Sequence, residues 1–140
     1  MKSTIALLGL ALLASGAAFA QDLHAAVKGI ITSSVADDEK LVGALHSGES
    51  EGGDSDTVSV RIDPSKTYMI YATCDFHCIN LYISVTDGDG ADVAGDYSDD
   101  DAPVIPIWPG DAGNELNIRI DMADCGADSC VWALGVYEQP

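Results

Sequence analysis

Four cysteines, three histidines and a run of aspartates are the side chains through which this chain could do chemistry, and only His77, between two of the cysteines, shares a stretch with another of these groups. The cysteines form two close pairs, Cys74 with Cys78 and Cys125 with Cys130, each bracketing a short loop. Those loops are Asp75-Phe76-His77 and Gly126-Ala127-Asp128-Ser129. An even number of cysteines in an exported chain favours disulfides over metal thiolates. Four cysteines allow three pairings, and the local one, Cys74–Cys78 with Cys125–Cys130, fits the spacing best. The crossed pairing Cys74–Cys125 with Cys78–Cys130 would tie distant strands instead. A four-cysteine zinc site is the rival, but these spacings are loose for zinc and an oxidising compartment disfavours free thiolates.

The acidic stretch Asp87-Gly88-Asp89-Gly90-Ala91-Asp92 superficially resembles a calcium loop. An EF-hand needs glycine at its sixth position and a bidentate glutamate at its twelfth, where this chain has Asp92 and Ser98. It is not an EF-hand. A looser Ca²⁺ cage is open to Asp87, Asp89, Asp92, Asp96, Asp99, Asp100 and Asp101, because calcium accepts irregular sets of oxygens. The alternative for the same residues is a hairpin turn followed by a solvated acidic loop.

His24, His46 and His77 stand in no recognisable metal or nucleophile motif, and the chain has neither a Gly-x-Ser-x-Gly elbow nor a His-Glu-x-x-His helix. The expectation is a protein without catalytic residues that requires no cofactor. Among the aromatic residues, Trp108, Trp132, Tyr68, Tyr71, Tyr82, Tyr97 and Tyr137 could build a sugar-stacking platform. Most of them read as core or edge residues. Tyr82 is the ligand-binding candidate, since it falls on the polar face of its strand.

The elements that must position these residues follow from periodicity. Residues 1–20 read as a signal peptide: Lys2 gives the positive start, Ile5 to Leu13 the apolar middle, and Ala18-Phe19-Ala20 the small-x-small cleavage site. The apolar run is short for a membrane anchor, so the expectation is a mature chain from Gln21, periplasmic or secreted, with no membrane insertion after cleavage. Residues 21–40 read as a helical or flexible leader, in which Leu23, Val27, Ile30, Ile31 and Val35 can share one face. Leu41 to His46 reads as a short strand, and Gly48 to Ser55 as a mobile acidic loop.

Residues 41–140 read as strand after strand. Val58, Val60 and Ile62 alternate with polar neighbours, as do Ile79, Leu81, Ile83 and Val85, and Leu116, Ile118, Ile120 and Met122. Tyr68 to Thr73 is apolar enough to lie well buried. The stretch from Thr67 to Asp87 therefore reads as two paired strands, with the Cys74–Cys78 bridge fixing the register of their hairpin. Ala91 to Gly95, a proline-marked edge strand from Pro103 to Trp108, and Val131 to Tyr137 complete the set. The fold class is all-β: an antiparallel β-sandwich, jelly-roll-like, of seven or eight strands, after a signal peptide and a short N-terminal helix.

The chain has 140 residues and a formal net charge of −17, which becomes −18 when Lys2 leaves with the targeting segment. That balance argues against nucleic acid and against anionic membrane surfaces. It also serves solubility.

The order of Gly48, the Val58-Val60-Ile62 strand, Tyr68, Cys74-Asp75, Cys78, Leu81-Tyr82-Ile83, Asp87, Val93, Asp96, Asp99-Asp100-Asp101 before Pro103, and the Cys125 to Cys130 strand pair resembles small exported proteins related to the bacterial pre-peptidase C-terminal domain. The resemblance covers roughly Leu41 to Glu138. It implies a β-sandwich without catalytic residues that serves as an accessory or binding module, with calcium or extracellular matrix as ligands of some relatives. The family's Asp-Leu-Asp-Leu strand is Asn80-Leu81-Tyr82-Ile83 here, so both of its acids are missing. The expected function is thus an exported, non-catalytic binding module whose partner is an extracytoplasmic protein or glycan. The alternative is a calcium-stabilised structural protein of the envelope or extracellular space.

Overall fold

The computed structural model describes residues 15–140, with side chains from residue 22 onward. The predicted signal peptide, residues 1–20, lies outside the described residues except at 15–20, whose backbone opens the first helix. Helix α1 spans Ser15–Ser34 and nine strands follow it. These are β1 (Lys40–Leu41), β2 (His46–Ser50), β3 (Ser55–Arg61), β4 (Tyr68–Cys74) and β5 (Cys78–Asp87), then β6 (Asp92–Asp96), β7 (Val104–Ile107), β8 (Glu115–Cys125) and β9 (Cys130–Glu138).

The strands form two antiparallel sheets. One runs β1-β9-β4-β7, with β2 following β1 along the same edge of β9; the other runs β3-β8-β5-β6. Counting β1 and β2 as one position gives two four-stranded sheets whose connections, the β5–β6 turn excepted, cross from one to the other, the order of a jelly roll. Alternation dictates which faces meet: Leu81, Ile83 and Val85 of β5 and Leu116, Ile118, Ile120 and Met122 of β8 are buried. They pack against Ile70 and Ala72 of β4 and Leu134 and Val136 of β9 in one core.

Strand β9 is buried along nearly its whole length. Its even-numbered side chains enter the core, while Val131, Ala133 and Tyr137 face outward beneath Val27 and Ile31 of α1. This explains why its sequence shows no clean alternation: both faces are covered. The helix ends where Thr32, Ser33 and Ser34 turn their hydroxyls onto the carbonyls four residues back, a local bonding pattern that competes with helix continuation. Leu23, Val27, Ile31 and Val35 lie on the packed face, but Ile30 is 48% exposed.

Four other expectations are corrected. Strands β4 and β5 are not a hairpin, because β4 pairs with β9 and β7 in one sheet while β5 pairs with β8 and β6 in the other. The bend at Asp75-Phe76-His77 is an arch that carries the chain between sheets. Ile79 is 53% exposed, since the register of β5 against β8 shifts on both sides of Asn80 and takes Ile79 out of the alternating set. The short strand placed at Leu41 to His46 is split between β1 and β2. Half of the stretch expected as a mobile loop, Gly48 to Ser55, is strand: Gly48, Glu49 and Ser50 lie opposite Trp132, Val131 and Cys130, and Ser55 opens β3, leaving Glu51 to Asp54 as a turn. Gly48 matters there, because a Cβ at that position would stand 2.5 Å from the Trp132 indole.

Both disulfides have the local pairing, Cys74–Cys78 and Cys125–Cys130, with Cα separations of 5.8 and 6.0 Å. Each staples an arch between sheets rather than the register of a hairpin, since β8 and β9 also belong to different sheets. The loops they close are short, so little chain entropy is removed from the unfolded state. Replacing Cys74 and Cys78 together with alanine is expected to cost about 2 kcal/mol and to leave the far-ultraviolet dichroism of a sandwich intact. Urea titration of the double variant measures this; global unfolding would show that the bridge, and not the sheets, holds the two layers together.

Candidate binding surface

The two arches lie side by side at one end of the sandwich. Cys78 and Cys125 face each other in the register of β5 and β8, while Cys74 lies opposite Trp132 on β9. The Gly126 N–H donates to the His77 carbonyl at 2.7 Å, and the Asp75 N–H to the Val131 carbonyl at 2.9 Å. Asp75 is buried, and its carboxylate accepts from the His77 N–H at 2.9 Å and the Val131 N–H at 2.7 Å. A buried carboxylate is tolerated because both oxygens are taken by backbone donors.

With its base tied this way, the first arch leaves Phe76 73% exposed at its tip, its ring 4.0 Å from that of His77. Neighbouring Ile79 lies over Gly126. Beside the arches, Glu49, Glu51, Asp54 and Asp56 line an open cleft of about 800 Å³ between the β2–β3 turn and the β8–β9 arch. Asp56 points inward from β3, where it accepts from the Trp132 Nε1 at 3.0 Å and the Ser50 hydroxyl at 2.7 Å. Ser129 donates to Glu49 across the cleft.

Among the described residues, no helix covers the outer face of the β3-β8-β5-β6 sheet. Tyr82 projects from it and meets Tyr97 edge-on, with ring centroids 5.9 Å apart. The Tyr82 hydroxyl donates to Asp99 at 3.2 Å, and this bond to a carboxylate is the first cause holding the phenol above its ordinary range, with burial second. Tyr97 is 61% exposed and lies across Gly95, where a Cβ would stand 2.6 Å from its ring. The pair continues into a polar surface, since Tyr82 lies opposite Asp121 and Ser84 opposite Arg119, the latter paired with Asp121 at 2.8 Å.

The remaining predicted aromatics go elsewhere. Tyr68 and Trp132 are core residues, Tyr71 and Tyr137 meet edge-on under α1, and Trp108 stands exposed beyond β7. Reading the Cys74–Cys78 loop as the turn of a hairpin gives no role to Phe76 or Asp75. An aromatic residue inside a three-residue loop closed by cysteines was the available signal.

The seven aspartates considered for calcium divide into two places. Asp87 caps the β5–β6 turn, accepting from the N–H groups of Asp89 and Ala91 at 2.9 Å each, with Asp92 beginning β6. Asp96, Asp99, Asp100 and Asp101 belong to the far end of β6 and the loop after it, and Asp96 lies opposite Ile83, several residues up β5 from Asp87. Asp96 accepts from the Ser98 and Val104 N–H groups and Asp100 from that of Ala102. Among the described residues no three His, Cys, Asp or Glu side chains converge as a metal site. The histidines are dispersed too: His24 bonds Ser47 beside α1, His46 starts β2, and His77 is in the arch.

No protein-family model matches the sequence, and no curated protein matches it. Among solved structures it is similar to PliG of Aeromonas hydrophila, a periplasmic inhibitor of g-type lysozyme, at 14% identity over 75% of this chain and 91% of that one, with a TM-score of 0.48. It is also similar to the capsular polysaccharide assembling protein CapF of Staphylococcus aureus, at 16% identity over 75% of this chain and 29% of CapF (TM-score 0.39). A third similarity is to the structure of infectious bursal disease virus strain Gt, at 14% identity over 71% and 30% (TM-score 0.39). The chain thus spans less than a third of the latter two.

Three outcomes follow from this geometry. Asp75→Ala removes an acceptor from two backbone donors, one of them buried, and is expected to cost on the order of 3 kcal/mol in a urea titration. Hydrogen bonds from Ser98, backbone first, hold the Asp96 carboxyl below its ordinary 3.8. A depressed folded value means a contribution to stability that is complete above that pH and lost as pH falls through and below it, so Asp96→Asn should flatten the acid limb of a melting-temperature profile below about pH 4. With the acids split between two places, 5 mM Ca²⁺ and excess chelator should give the same melting temperature. A rise with calcium would favour the calcium-stabilised alternative.

Proposed function

We propose that this protein is an exported, non-catalytic binding module that takes an extracytoplasmic protein or glycan on the open face bearing Tyr82 and Tyr97. The observation that carries this reading is the tyrosine pair itself: two aromatic rings held edge-on at the surface, one steadied by Asp99 and the other seated on a glycine. Aromatic rings with polar tips supply large contact area at small entropic cost, which suits recognition. Helix α1 covers the opposite sheet, and among the described residues nothing packs on the outer face of this one. Export is supported by the targeting pattern in residues 1–20 and by the use of all four cysteines in disulfides. The resemblance to pre-peptidase C-terminal domains supports the same role.

The test is direct. The mature, oxidised chain is immobilised and offered a glycan array and a panel of purified exported proteins, including a g-type lysozyme. A retained ligand should bind at least about tenfold more weakly to the Tyr82→Ala/Tyr97→Ala variant, as expected for loss of aromatic anchors. Equal binding by the double variant would overturn the assignment of this face.

A further inference from the structure

We infer that the disulfide-stapled end is a second, distinct docking surface, which inserts Phe76 into an apolar pocket of a cationic protein. Four connections meet at this end: the β2–β3 turn, the two arches, and the loop from β6 to β7. Their exposed charges are Glu51, Asp54, Asp99, Asp100, Asp101 and Asp128, and they contain no lysine or arginine. The cations lie elsewhere. Lys40, Arg61 and Lys66 are at the opposite end, with Lys66 paired to Glu138 at 2.8 Å; Lys28 is on α1, and Arg119 is in the middle of β8 paired to Asp121.

Acids also occur at the opposite end, but there they are interspersed with these cations. The stapled end therefore presents an unopposed negative field around an exposed phenylalanine, and the complementary surface is basic with an apolar recess. Preorganisation strengthens the case. An exposed aromatic on a floppy loop pays ordering entropy on binding, whereas Phe76 is held by a disulfide across three residues, by Asp75 bonded to its own arch and to the start of β9, and by its contact with His77. These restraints fix a side chain that contributes little to the core, since most of its surface faces solvent. The 800 Å³ acidic cleft beside the second arch, at the same end of the sandwich, gives the partner's basic side chains a place to lie.

The experiment replaces Phe76 with the photocrosslinking analogue p-benzoylphenylalanine in the mature oxidised chain, with the same group at Trp108 beyond β7 as a control, and irradiates each with envelope and culture-medium fractions of the source organism. Crosslinked species are identified by mass spectrometry. The expected result is a product at position 76 but not 108, whose sequence is net positive and whose yield falls at least about tenfold between 20 and 300 mM salt. Phe76→Ala should weaken binding of that purified partner about tenfold or more while shifting the melting temperature by no more than about 3 °C, as for an exposed substitution.

Equal crosslinking at both positions, a neutral or acidic product, a salt-independent yield, or no product would each overturn the inference. A partner that is lost with Tyr82→Ala/Tyr97→Ala yet bound normally by Phe76→Ala would overturn it while leaving the tyrosine face standing. The reverse pattern would support the stapled end and remove the other face.

Discussion

The chain must pass from one sheet to the other without leaving backbone polar groups stranded, and at one end of the sandwich it does so twice, side by side. The solution rests on Asp75. Its carboxylate and its own N–H bind the first arch to the start of β9, while Gly126 returns a bond to His77. The bridges Cys74–Cys78 and Cys125–Cys130 then hold the width of each arch. The sheets above are ordinary consequences of alternation, but they can meet face to face only if these bends are made.

Much of the architecture was legible because it rests on period-2 patterns. Val58 and Val60, Leu81 to Val85, and Leu116 to Met122 all point inward as their spacing required, and the helix placed Val27 and Ile31 against the sheet. Strand partnership was not legible. A five-residue interval closed by two cysteines fits a hairpin and an arch equally well, and only the competition for β4 by β9 and β7 decides between them. Likewise the polar stretch from Gly48 to Ser50 looks like loop until Trp132 supplies a ring to lie across Gly48.

The surface was legible in part. Tyr82 declared itself by its place on a polar strand face, but its companion Tyr97 lies beyond β6 and reaches it only because Gly95 leaves room. The aspartates suggested an oxygen cage when read as a string. In space the two groups are separated by the length of β6, and several spend their oxygens on turn N–H groups, a role for which aspartate is well suited.

The position of β9 has a consequence for how the molecule is made. It is the last of the nine strands along the chain, yet it pairs with β1, β2 and β4 and lies beneath α1. Until β9 has been synthesised, β4 lacks one partner, β1 and β2 lack any, and the helix lacks the larger part of the surface it covers. The long sequence separations of these pairings make early assembly entropically unfavourable. The β3-β8-β5-β6 sheet has all its strands before β9, so assembly is expected to start there, and the facing sheet closes over it only once β9 has emerged.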